Sequence, residues 1–167
     1  SVLSSFSGIE AVSAFDQTSF LYDQNGNLIT EIYDEINRTP VQLERIPFHV
    51  QKAFVSIEDE RFYSHHGIDL KAILRAAVSY YKSGRITEGA STITQQTMKL
   101  IFLSPEQSLL RKVKEAALAI RFETRYSKDE ILELYLNRVY FGEGAYGVQS
   151  ASRTYFNKDC SELSLEE

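Results

Sequence analysis

The chain has 167 residues, 43% of them hydrophobic and 25% charged, a balance ordinary for one folded globular domain with a real core. Its 23 acids against 18 bases leave a net charge of -5, so no overall basic surface exists to neutralise nucleic-acid phosphates, although local basic clusters remain open. The single cysteine, Cys160, excludes a disulfide within the chain, and no apolar run approaches the ~18 residues of a membrane span.

In chain order, residues 1–19 carry no strong period. FLYDQNGNLITEIY then sets Asn25-Gly26 between two short runs of strand formers, which predicts a tight hairpin. From Pro47 the pattern turns helical: Phe48, Val50, Ala53, Phe54 and Ile57 recur at helical spacing, with an end expected near His65, His66 and Gly67. Asp69 is the expected cap of a helix reaching about Lys82, with Gly84 just beyond it. The stretch LKAILRAAVSYY within it is apolar almost all round. A Gly-Ala-Ser-Thr loop at 89–92 leads into a helix over about 92–102. Ser104, Pro105 and Gln107 mark the start of the next, which should run to about Arg125. Ser127 and Glu130 form a second capping box, opening a helix through Asn137. Gly142, Gly144 and Gly147 break the chain before a last helix near 146–155. The fold class expected is mainly α, with a small N-terminal β-hairpin. The start at Ser1 and the stop within LSLEE predict an excised piece of a longer protein.

Four stretches carry residues suited to chemistry. In EDERFYSHHG (58–67), the acids Glu58, Asp59 and Glu60 crowd the C-terminal end of a helix, where the macrodipole is already negative. Stability alone would not choose that arrangement, so it reads either as a site or as charge compensated by Arg61 and the histidines. In GASTITQQ (89–96), hydroxyls and two amides gather where a loop enters a helix, with Lys99 one turn beyond Gln95. That suits an anion such as phosphate at the helix N-terminus, or equally a well-capped helix start. Arg111 and Glu115, at i and i+4, make a surface ion pair on the bland reading. Yet Glu115 falls beside Leu118, Ala119 and Phe122 on the helical wheel, a setting suited to acid–base work. In KDEILELYLNRVYFGEGAYG, Ile131, Leu134, Tyr135 and Val139 form a core stripe, while Glu133 and Asn137 share another face. His65 and His66 lack further ligands to complete a metal site, and Ser91 lacks the partners of a hydrolase triad.

These blocks in this order resemble the glycosyltransferase domain of penicillin-binding proteins, the peptidoglycan glycosyltransferases of family 51. The resemblance rests on Glu58 and Asp59 followed by Phe62, His65 and Gly67; on GASTITQQ; on Arg111 and Lys112 with Glu115; on Ile131, Leu132 and Glu133 with Tyr135, Leu136 and Asn137; and on GAYGVQSA running into Tyr155 and Phe156. Upstream, YDQNGNLI and IPFHVQKAFVSIEDE extend it to roughly residues 20–167. Asn157 departs from the glycine usual before the family's lysine.

The resemblance implies a lysozyme-like, two-lobed helical fold, with a linker and hairpin over 1–46 and the glycosyltransferase domain over 47–167, cut short of the family's final helices. It implies polymerisation of lipid II onto a growing glycan strand through β-1,4 bonds, with inversion and release of polyprenyl pyrophosphate. Glu58 would be the general base, and Glu115 the second carboxylate, serving the leaving group, a metal-assisted pyrophosphate or positioning. Ser91, Gln95, Gln96, Lys99, Arg111 and Lys112 would contact the donor. Asp59, Phe62, His65, Gly67, Thr92, Glu133, Tyr135 and Asn137 would complete the substrate site. No cofactor is required by this reading, though a divalent cation (Mg or Mn) is compatible with it. The expected setting is the extracytoplasmic face of a bacterial cell membrane, with the apolar helix at 68–82 dipping into the bilayer rather than lying in the core. A C-terminal transpeptidase domain is the expected neighbour, and nucleic acid is not an expected partner. The rivals are a lysozyme-like glycan hydrolase and a non-catalytic membrane-associated module.

Overall fold

A computed structural model describes residues 19–22, 28–32, 37–85, 89–102 and 109–167. Strands β1 (Ser19–Tyr22) and β2 (Leu28–Ile32) pair antiparallel, from Ser19 opposite Ile32 to Tyr22 opposite Leu28, with a register shift after Leu21. The hairpin expected from the strand formers is therefore present, while its Asn25-Gly26 turn lies outside the described residues. A second, two-residue pairing was not legible in the sequence: β3 (Asn37–Arg38) runs parallel to β4 (Ala145–Tyr146).

The rest is helical: α1 (Phe48–Glu58), α2 (Leu70–Ser83), α3 (Ile93–Phe102), α4 (Leu109–Phe122), α5 (Lys128–Leu136) and α6 (Val148–Phe156). Helix α3 is central and contacts both α4 and α5. It buries Ile93, Thr94, Gln95, Thr97 and Met98. Around it the core gathers Phe62, Ala119, Phe122, Ile131, Leu132, Tyr135 and Leu136. Residues 37–46 join the same body, since Val41, Leu43 and Ile46 are core residues.

Helix ends follow local chemistry. Asp69 caps α2 by accepting from the Ala72 N–H at 3.0 Å, and Gly84 closes it in the left-handed conformation. Ser127 and Glu130 form the expected capping box of α5. Two expected ends move. Helix α1 stops at Glu58, about two turns before His65, because Asp59 leaves helical geometry and turns its carboxylate into the core. Helix α4 stops at Phe122, and residues 123–126 form turns that lead to the cap at Ser127. Its expected start at 104–107 lies outside the described residues. Asn157, the departure from family glycine, takes the left-handed conformation at the end of α6, which asparagine tolerates.

Helix α2 is not a core helix. Ala72 is its one buried residue, whereas Leu70 is 68% exposed, Leu74 66% and Tyr81 91%. Among the described residues, no helix is long and apolar enough to cross a membrane.

Candidate active site

Glu58 is the last residue of α1, and its side chain opens to solvent. Gln96, on the first turn of α3, donates from Nε2 to Glu58 Oε2 at 2.9 Å. Among the described residues, no hydrogen bond engages the other oxygen. Below this pair, Tyr135 points its hydroxyl to Gln96 Oε1 at 3.4 Å. Burial, and then the charge of Glu58, push that phenol well above its usual range, so it stays protonated at neutral pH.

The facing wall comes from α4. Glu115 is 1% exposed, an expensive place for a carboxylate without partners. Lys112 donates to its Oε2 at 2.8 Å. Arg111 Nε lies 3.1 Å from Oε1, close enough for an ion pair but off the line of a hydrogen bond. The same Lys112 ammonium donates to Ser91 Oγ at 2.6 Å, tying α4 to the 89–92 loop. Between these walls lies a cleft of about 440 Å³, lined by Glu58, Ser91, Gln96, Lys99, Arg111, Lys112 and Glu115, with Ile57 and Gly89. Its lining holds three cations against two carboxylates, so the cleft carries a positive surplus. A smaller hollow of about 110 Å³ lies beside it. The two share Ile57, Glu58, Gly89 and Ser91, and the hollow adds Arg61, Asp69 and Arg75. Glu58 thus borders both spaces.

The remaining expected site residues stand behind the cleft rather than in its lining. Asp59 is buried, accepts from the Ile93 N–H at 3.0 Å and pairs with His65 at 2.8 Å. Phe62 is fully buried, with its ring edge-on to His65. Gly67 has φ +78°, and a Cβ there would lie 2.5 Å from the Ile120 nitrogen, so a side chain would push α4 away. Thr92 and Gln95 are buried and satisfy each other: Thr92 N–H donates to Gln95 Oε1 and Gln95 N–H to Thr92 Oγ1. Thr92 also donates to the Gly67 carbonyl at 2.6 Å.

Of the two readings of the α3 start, the hydrogen bonds favour the capped one: Thr92 N–H is taken by Gln95 Oε1, Ile93 N–H by the Asp59 carboxylate and Gln95 N–H by Thr92 Oγ1. The cations that line the cleft are Lys99, Arg111 and Lys112. Glu133 and Asn137 serve elsewhere: Glu133 accepts from the Leu43 N–H at 2.7 Å, and Asn137 brackets the Val41 backbone with two 2.8 Å bonds. Arg61 and Asp69 form a forked pair beside the hollow. Burial pushes the Asp69 carboxyl up, but the Ala72 N–H and Arg61 outweigh it and hold it below the usual carboxylate range.

One group carries no sequence signal: Lys128 and Glu123 join at 2.7 Å behind the cleft, although Lys128 reads in sequence as no more than the first residue after a helix cap.

Comparison with known proteins gives a consistent picture. A family model described as Transglycosylase matches residues 25–167. The chain is 49% identical, over 90% of its length, to penicillin-binding protein 1F of Bacillus subtilis (strain 168). It is 52% identical over 88% to penicillin-binding protein 1A of Escherichia coli (strain K12), and 50% identical over 90% to penicillin-binding protein 1A of Aquifex aeolicus (strain VF5). It spans only 21%, 17% and 21% of those relatives.

Proposed function

This chain belongs to the transglycosylase family, and from that premise we propose that it is an inverting peptidoglycan glycosyltransferase that polymerises lipid II. The observation that carries the reading is the shared cleft: one open carboxylate, Glu58, facing a wall that supplies Lys99, Arg111 and Lys112. A neutral glycan needs no such cations, which disfavours a hydrolase.

The donor strand lies with its pyrophosphate toward the cationic wall, and the acceptor lipid II approaches Glu58 from the smaller hollow. Glu58 takes the proton of the acceptor 4-hydroxyl through the oxygen that Gln96 leaves open. The freed oxygen attacks the donor's anomeric carbon from the face opposite the pyrophosphate. The carbon–oxygen bond to the leaving group breaks as the new β-1,4 bond forms, and the electron pair departs on the pyrophosphate. Lys99, Arg111 and Lys112 stabilise the charge that develops there. Glu115, held between Arg111 and Lys112, is a positioning group: its buried charge fixes both cations in place.

Both Glu115 oxygens face cationic side chains, so Glu115 is engaged by Arg111 and Lys112 rather than offered to a divalent cation. The exposed apolar residues of α2 fit docking on the outer face of a bacterial cell membrane, where the lipid tails of both substrates remain. A transpeptidase domain is the natural neighbour, given relatives named penicillin-binding proteins that extend far beyond the matched region.

The test is polymerisation of labelled lipid II. Glu58→Gln keeps the shape but cannot take the proton, and should lose ~100-fold to ~10,000-fold in rate with the fold intact. Retention of more than about a tenth of the activity would remove Glu58 from the role of base.

A further inference from the structure

Behind the cleft, buried polar groups form a chain of their own. The Asp59 carboxylate accepts from Ile93 N–H at 3.0 Å and lies 2.8 Å from His65 Nε2. Across the imidazole, Lys128 Nζ stands 3.5 Å from His65 Nδ1, 2.7 Å from Glu123 Oε1 and 4.5 Å from the centroid of the Phe62 ring. Thr94 Oγ1 donates to the same Glu123 oxygen at 2.5 Å. The side chains of His65, Asp59 and Glu123 are 8%, 3% and 4% exposed.

An ammonium group has three donors and no acceptor, so a ring nitrogen facing it must offer a lone pair. Of the two neutral imidazole tautomers, only the one protonated at Nε2 does so, and it also aims its N–H at Asp59. The other would set an N–H against the ammonium and a lone pair against the carboxylate.

We propose that Lys128 is a positioning residue for the transfer reaction: it fixes His65 in the Nε2–H tautomer, and through Asp59 it holds Glu58 against α3. The proposal rests on the reading of Glu58 as the base. Its logic is that both halves of the Glu58–Gln96 contact hang from one carboxylate. Asp59 is the covalent neighbour of Glu58, and it also caps the helix that carries Gln96. Lys128 is not among the residues lining the cleft and acts without touching substrate.

The experiment compares Lys128→Met, which removes the ammonium at similar length, with Lys128→Arg, which restores a cationic donor. Imidazole nitrogen resonances of His65 report the tautomer, without substrate. The wild type is expected to show Nε2–H alone, and Lys128→Met a mixture. In lipid II polymerisation, Lys128→Met should lose roughly tenfold to hundredfold in kcat, with KM little changed. Lys128→Arg should recover both the tautomer and most of kcat. Because Lys128→Met strips the cation from buried Glu123, the double variant Lys128→Met with Glu123→Gln provides a folded comparison. If His65 keeps Nε2–H in both Met variants, or kcat falls only in proportion to the folded fraction, Lys128 is structural and the proposal is overturned. A wild type unable to polymerise lipid II would overturn the assignment of Glu58 instead, and the tautomer result would still decide the link from Lys128 to His65.

Discussion

Glu58 and Glu115 border the same cleft in opposite electrostatic settings. Glu58 is exposed and, among the described residues, takes a single hydrogen bond, from a neutral amide, which leaves its other oxygen open. Glu115 is buried with a cation beside each oxygen, so its charge is already engaged by Arg111 and Lys112. The proposed division of labour follows from burial and partners, since the two side chains are chemically the same. Lys99 shows the same logic for binding. It lies exposed on the cleft's rim, one turn from Gln96, and under the proposed function it would offer a point charge to the donor's pyrophosphate. Lys99→Ala should weaken binding of a pyrophosphate-bearing donor by roughly tenfold or more, the worth of one charge-assisted hydrogen bond. A neutral glycan should bind the variant and the parent alike. Equal losses for both ligands would argue against a phosphate-specific role.

Among the elements, α3 and α2 make contrasting use of their faces. One side of α3 is spent on structure, with Thr92 and Gln95 closing its first turn and Thr97 donating back to Ile93. Its other side presents Gln96 and Lys99 to the cleft. Helix α2 instead turns nearly all its apolar residues outward: Leu70, Ile73, Leu74, Val78, Tyr80 and Tyr81 are each exposed. Such a surface is costly in water and gains about 25 cal/mol per Å2 when buried in lipid. The two tyrosines near its end suit an interface, where a ring sits in apolar surroundings and its hydroxyl stays wet. Replacing Leu70, Leu74 and Tyr81 with serine should lower liposome binding and slow turnover of long-chain lipid II. Short-chain soluble analogues should be processed as before, because the cleft is untouched. If the substituted protein unfolds, or sediments with liposomes as the parent does, membrane docking through α2 is wrong.

At the scale of the whole molecule, α5 is the post to which the N-terminal segment is tied. Asn137 accepts from Val41 N–H and donates to the Val41 and Glu133 carbonyls, while Glu133 accepts from Leu43 N–H. Gly147 packs against the same residue: a Cβ there would fall 2.7 Å from the Asn137 carbonyl oxygen. Helices α5 and α6 and the 37–46 segment therefore meet at one point, with β3 and β4 pairing nearby in sequence. Asn137→Ala leaves the buried Val41 N–H and C=O without these partners, and should cost about 2–4 kcal/mol of stability. Denaturant unfolding with an unchanged slope would measure it. A loss below about 0.5 kcal/mol would mean that water or a shifted backbone replaces the tie.

Much of this was legible in the residues themselves. Caps at Asp69, Ser127 and Gly84, the helical periods and the strand-forming runs act through neighbours a few residues away, so the chain declares them locally. Blocks around Glu58, Ser91, Gln96, Lys99, Arg111 and Glu115 pointed to a candidate site while leaving compensated charge, helix capping and a surface ion pair as open readings. Only the tertiary structure decided how each block is divided. Thr92 differs from Ser91, and Gln95 from Gln96, by one position, yet the first of each pair is buried structure and the second lines the cleft. A helical turn sends adjacent side chains about 100° apart, and which direction faces the cleft depends on where the neighbouring helices pack. The same holds for the Asp59–His65 and Glu123–Lys128 pairs, brought together from two separate stretches of chain. Long-range contacts of that kind leave no period in the sequence; folding alone puts them in one place.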